Sequence, residues 1–207
     1  MKRTSPFSRA ALAAAVLSLA ACSGTAGDEP APDAQPAPAQ AQAEAPRPDG
    51  AQPQQPASPR DTAEMELAGG RVYVDYGRPY MRGRTIFGGL VPYGQVWRTG
   101  ANAATTFVTP GDVRIGGTLV PAGTYTLYTL PGEGEWQLIV NRQTGQWGTQ
   151  YDQAQDLARI PMQVERTPSP VDQFTIQLVA GSPARLVMEW ENTRASVPVE
   201  PVSPGGA

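Results

Sequence analysis

Residues 174–190 read FTIQLVAGSPARLVMEW. Phe174, Ile176 and Leu178 alternate with Thr175 and Gln177, and Leu186, Met188 and Trp190 alternate with Val187 and Glu189. Period two sends every second side chain to one face of an extended strand, so each run suits a strand with one buried face. Gly181-Ser182-Pro183 supplies turn chemistry between them. The same pattern recurs outward. Val72, Val74 and Tyr76 alternate with Arg71, Tyr73 and Asp75, and Trp136, Leu138 and Val140 alternate with Gln137, Ile139 and Asn141. Residues 104–110, 112–115, 124–130, 160–167 and 195–199 are weaker candidates, set off by Pro110-Gly111-Asp112, Gly116-Gly117, Pro121-Ala122-Gly123 and Pro131-Gly132.

Short strands joined by tight turns, with no strand–helix alternation, predict an all-β fold. The expected form is an antiparallel β-sandwich of jelly-roll or immunoglobulin-like kind. One short helix is expected over Tyr151–Arg159 (YDQAQDLAR), stopped by Pro161. A helix of that length is marginal alone and has to pack on the sandwich.

Composition narrows the chemistry. The 207 residues include 22 Gly, 22 Pro, one Cys and no His, and fifteen Arg against a single Lys at position 2. Without His there is no Ser-His-Asp triad, imidazole base or His-ligated zinc. One Cys excludes an intramolecular disulfide and a CxxC pair. A formal net charge of −3 argues against nucleic acid as a partner, because phosphate neutralisation needs a basic face. No cofactor or metal is implied. Carboxylate, Arg, Tyr, Ser/Thr and amide chemistry remain.

The amino terminus reads as an export signal over residues 1–21. Lys2, Arg3 and Arg9 precede an apolar run, Ala10–Ala21, too short to span a bilayer. It closes on Leu19-Ala20-Ala21-Cys22, which resembles the lipobox of bacterial lipoproteins. That resemblance implies acylation of Cys22, anchoring in the cell envelope and, with Ser23 rather than Asp following, the outer membrane. Cleavage before Cys22 removes three basic groups and leaves 13 Arg against 19 acids, a charge of −6. Anionic headgroups repel such a chain, so its acyl chains have to hold it. Residues 22–60, rich in Ala, Pro and Gln, offer no large apolar surface and are expected to form a disordered tether. The β-sandwich domain is expected over 61–201, with a flexible tail over 202–207.

The least generic stretch is residues 76–106, YGRPYMRGRTIFGGLVPYGQVWRTGANAATT. Together with Pro121-Ala122-Gly123-Thr124-Tyr125, Gln146-Trp147-Gly148 and Glu189-Trp190-Glu191-Asn192 it resembles the bacterial domain of unknown function 2911, over residues 58–200 or so. The family is populated by exported and lipid-anchored proteins, and it lends no catalytic residues. Position 82 is Arg where Lys is common in the family, and only Arg offers a planar fork.

Within this stretch Arg78, Arg82, Arg84 and Arg98 lie close to Asp75, Trp97, Asn102, Thr105 and Thr106. Arg forks take carboxylates and phosphates bidentately, and loops at the rim of a sandwich carry such sites. One reading is a pocket for an anionic small molecule, glycan or protein partner, built from Arg78, Arg84 and Arg98. Asn102 would orient the ligand, and Tyr80, Tyr93 or Trp97 would supply a face. The other is that these arginines pair with Asp75 and Glu189, or bond loop carbonyls, to pin an irregular connection. Trp136, Trp147 and Trp190 offer rings that could stack on sugars, but Trp136 and Trp190 at alternating strand positions are expected in the core. A different class, a hydrolase using Asp75 or Glu189 as acid or base, remains open. The carboxylate sets Glu189/Glu191 and Asp152/Asp156 read as exposed charge, and Asp112, Glu133 and Glu135 lack calcium-loop spacing.

Overall fold

The computed structural model describes residues 58–202. The signal, Cys22, the tether up to residue 57 and residues 203–207 lie outside the described residues. Nine strands follow in chain order: β1 (Arg60–Leu67), β2 (Gly70–Gly77), β3 (Thr105–Thr109), β4 (Val113–Ile115), β5 (Thr118–Val120), β6 (Gly123–Pro131), β7 (Trp136–Asn141), β8 (Asp156–Val179) and β9 (Ala184–Pro201). They form one sheet in the order β1-β2-β3-β6-β7-β8-β9-β4-β5, and neighbouring strands pair antiparallel. The fold is all-β, as the alternation predicts, and a sandwich is consistent with it.

Two long strands organise the sheet. The first part of β8 pairs with β7, Trp136 opposite Met162, and the rest pairs with β9, Ile176 opposite Met188. Strand β9 then reaches β4 through Val199–Pro201. The runs 160–167 and 174–178 therefore belong to one strand, as do 186–190 and 195–199. Pro168 and Pro170 fall where the β8–β9 register shifts between Arg166 and Val171, so they interrupt the ladder without ending the strand. Gly116 and Gly117, at φ 55° and 81°, make the two-residue turn between β4 and β5 that needs positive φ twice.

The expected helix over Tyr151–Arg159 is corrected. Only a 3-10 turn, Gln153–Gln155, forms there, and β8 begins at Asp156. Asp152 Oδ1 accepts the Ala154 N–H, and the Asp156 carboxylate accepts from Asn141 Nδ2, the Tyr151 hydroxyl and Arg159 Nε. These side chains hold the segment in a shape that sets β8 against β7, and a nine-residue helix has too little of its own to compete.

The core takes side chains from every strand except β1, whose Ala63 and Leu67 pack on it half-buried. Val72, Val74 and Tyr76 meet Phe107, Leu127, Leu138, Ile160, Phe174, Ile176, Leu186 and Trp190. Tyr76 ties distant strands together: its hydroxyl donates to Ile176 O (3.2 Å) and accepts the Ile176 N–H (2.8 Å). Past Gly77 the chain stays beside β8, with Met81 N–H on Asp172 O and Phe174 N–H on Pro79 O. Tyr76→Phe removes one oxygen and strands two buried backbone groups, so it should cost about 2 kcal/mol in urea unfolding with an unchanged m-value.

Candidate functional site

The connection from β2 to β3 has no ladder of its own, and side chains from elsewhere hold it. Both Glu191 oxygens take loop amides, Oε1 from Ile86 N–H and Oε2 from Phe87 N–H, each at 3.3 Å. Leu90 N–H and Val91 N–H close a tight loop on Thr85 O and Ile86 O. Trp97 pairs with Thr129 of β6 through both backbone bonds, 2.8 and 2.9 Å. Its ring stacks on Trp190 at 5.7 Å and 18°, while Phe87 meets Trp97, Trp136 and Trp190 edge-on. Trp136 and Trp190 are buried, as expected of core positions.

These constraints leave a cleft of about 450 Å³. Trp97 and Trp190 line it together with Leu90, Val96, Tyr128 and Tyr151. Its polar lining includes Gln95, Asn102 and Thr149, and among the described residues its only charged side chains are Arg84 and Arg98. Of the candidate residues, Arg84, Trp97, Arg98 and Asn102 come together there; Asp75, Arg78 and Arg82 are not among its lining.

The arginines divide by what they already hold. All three nitrogens of Arg78 are engaged: Nε donates to Phe174 O, Nη2 to Thr175 Oγ1 and Nη1 to Asp61 Oδ2 at 2.8 Å. Arg84 gives Nε to Met81 O and Nη2 to Tyr80 O, both at 2.9 Å. Arg98 gives only Nε, to Gly100 O at 3.3 Å, and among the described residues neither of its Nη atoms has a partner. Arg82 is exposed, at φ 51°. Gly148 fits against Arg98 because a Cβ there would fall 2.7 Å from Arg98 Cδ and 2.8 Å from Asn102 O. Asn102, itself at φ 65°, accepts the Gly148 N–H through that same oxygen.

The acids go elsewhere, and not to the partners expected from sequence. Asp75 pairs with Arg60 and lies in a shallow depression with Thr62, Glu64, Arg71, Tyr73 and Thr106. Glu189 takes Arg194 Nε at 2.6 Å. Neither pairs with a loop arginine; Asp61 fills that role for Arg78. Glu189 and Glu191 also do not act as a pair, since one holds Arg194 and the other the loop amides. Asp112 Oδ1 accepts the Ala122 N–H, and among the described residues no cluster of three or more acids, His or Cys could hold a metal.

The two tyrosines of the cleft have no hydroxyl to spare. Tyr128 donates to Gln150 O and accepts from Gln146 Nε2, both at 3.0 Å. Tyr151 donates to Asp156 Oδ2 at 2.6 Å and accepts from Arg159 Nη2 at 2.7 Å. Burial first, then the hydrogen bond and charge of Asp156, push the Tyr151 hydroxyl up to about 12. Burial also raises Tyr128. Both phenols are therefore neutral at physiological pH and put no negative charge beside the arginines.

Sequence reasoning missed Glu191 as the loop's clamp, Asp61 as the partner of Arg78, and Tyr128, Thr149 and Tyr151 as cleft walls. Only the Gln146-Trp147-Gly148 and Glu189-Trp190-Glu191-Asn192 motifs pointed near them. Glu191→Ala should speed amide exchange at Ile86 and Phe87 and leave β7 protected, with a loss of about 2 kcal/mol in urea unfolding.

A family model described as "Protein of unknown function (DUF2911)" matches residues 58–199. No curated protein and no solved structure matches the chain. The matched span runs from just before β1 into the end of β9 and contains the whole cleft lining, so the chain belongs to the DUF2911 family.

Proposed function

We propose that the protein is a lipid-anchored domain of the bacterial cell envelope that binds an anionic ligand in the cleft beside Trp97. One observation carries the binding reading. Among the described residues the cleft's charged side chains are Arg84 and Arg98, no carboxylate lines it, and the Nη end of Arg98 has no partner. Such an end is the fork that takes a carboxylate or phosphate oxygen pair, and in a half-buried cleft it is screened less than on open surface. The envelope location rests on the lipobox-like Leu19-Ala20-Ala21-Cys22 and on the chain's single Cys standing at the acylation position.

The cleft itself does not favour the hydrolase reading. An acid or base has to stand within hydrogen-bond reach of the reacting group. Asp75 and Glu189 are held by Arg60 and Arg194, and neither lines the cleft. A scaffold without a ligand fits Arg78, each of whose nitrogens already holds a protein acceptor, and does not explain Arg98.

The test is thermal unfolding of the full chain with inorganic phosphate and with citrate. At a hundred times its dissociation constant a bound anion stabilises by about 2.7 kcal/mol, a shift of several degrees. The shift should vanish in Arg98→Gln, whose own melting temperature stays close to wild type, and Cys22→Ser should move the protein from the membrane to the soluble fraction. No shift with either anion, or an equal shift in Arg98→Gln, contradicts the proposal.

A further inference from the structure

Resting on the reading of the cleft as an anion site, we infer that its ligand is an acidic saccharide, a sugar bearing a carboxylate or phosphate on its ring, with Trp147 as an outer stacking platform. A cleft of about 450 Å³ is far larger than a bare oxyanion and has the size of a small-ligand pocket. Of its aromatic lining Tyr128 and Trp190 are almost fully buried, so its apolar faces are those of the half-buried Trp97 and Tyr151, whose hydroxyl is engaged inside the protein. Amide and hydroxyl groups of Gln95, Asn102 and Thr149 stand among those faces. A ligand matching this lining has apolar ring faces, hydroxyl edges and one ring-borne anion for Arg98.

Trp147 extends the arrangement outward. It is 53% exposed, the most exposed large hydrophobic side chain among the described residues. It directly precedes Gly148 and Thr149, which line the cleft. Its backbone is held rigidly: its N–H donates to Gln150 Oε1 at 3.2 Å, its carbonyl accepts the Gln150 N–H at 2.8 Å, and it bridges to Ala103. A large ring turned to solvent on a fixed turn gains little for folding. Tyr93 and Leu90, 40% and 48% exposed, add further apolar surface, and Leu90 lies on the cleft lining. A chain of sugars anchored at Arg98 would lay its next ring on such a surface, as rigid aromatic anchors do in other recognition sites.

Calorimetric titration of the full chain, purified in detergent, tests this with five probes: inorganic phosphate, galacturonate, trigalacturonate, maltotriose and glucose 6-phosphate. Trigalacturonate should bind about tenfold tighter than galacturonate, a gain of about 1.4 kcal/mol. Trp147→Ala should remove that gain and leave the monomer's affinity unchanged. Arg98→Gln should abolish both, and Arg98→Lys, which keeps the charge without the fork, should retain part of the binding. Maltotriose should not bind; glucose 6-phosphate binding more tightly than galacturonate would make the ring-borne anion a phosphate, and the reverse a carboxylate. Equal binding of maltotriose and trigalacturonate overturns the inference, as does a trimer affinity untouched by Trp147→Ala. Binding of inorganic phosphate with no saccharide response overturns the saccharide and keeps the anion cleft, whereas silence toward every anion removes both.

Discussion

The ring of Trp190 holds the β2–β3 connection in place. It is almost fully buried, and two loop side chains close on it: Trp97 by stacking at 5.7 Å and Phe87 edge-on at 6.2 Å. Phe174 lies against both tryptophans and Phe87 against Trp136, so the loop shares the aromatic core of the sheet. Each such pair adds about 0.5–1.5 kcal/mol beyond burial alone. The loop is ordered by this packing and by the two amide bonds to Glu191, without a ladder of its own. Arg98 follows Trp97 directly in the chain, so the same packing that closes the core positions the cationic end facing the cleft.

The arginines show how one residue type serves two purposes within a short stretch. Arg78 fastens the chain to β8 and to Asp61, with all three of its nitrogens engaged. Arg84 spends two donors on the carbonyls of its own turn. Arg98 spends one. Buried backbone acceptors have to be satisfied before a loop can be stable, so most of the guanidinium groups are structural by necessity. What distinguishes Arg98 is an Nη end with no partner among the described residues, facing a lining in which no described residue is an acid.

The sequence reveals the fold class because alternation is local. Val72-Tyr73-Val74-Asp75-Tyr76 and Phe174–Leu178 each carry their buried face in their own spacing. The length of β8 is hidden because Pro168 and Pro170 look like strand breaks until the register shift that accommodates them is seen. β1 escapes notice because its charged residues, Arg60, Asp61, Glu64 and Glu66, dilute the apolar pattern of an edge strand. Tyr151–Arg159 has helix-like composition, and the bonds that override it come from Asn141 and from side chains within the segment. At the site, residue types are legible and pairings are not. Arg78 and Asp61 are 17 positions apart, and Ile86 and Glu191 are 105 apart. Those distances along the chain carry no local signature. Trp97, Arg98 and Asn102 fall within six residues, which is why the heart of the cleft was readable.

Anomalous diffraction from crystals soaked in sodium tungstate tests the central claim most directly, since it locates a tetrahedral oxyanion without assuming any ligand. The account predicts a tungsten peak in the cleft, within hydrogen-bond reach of the Arg98 Nη atoms. Tungstate bound only at surface arginines such as Arg82, with the cleft empty of it, would contradict the account.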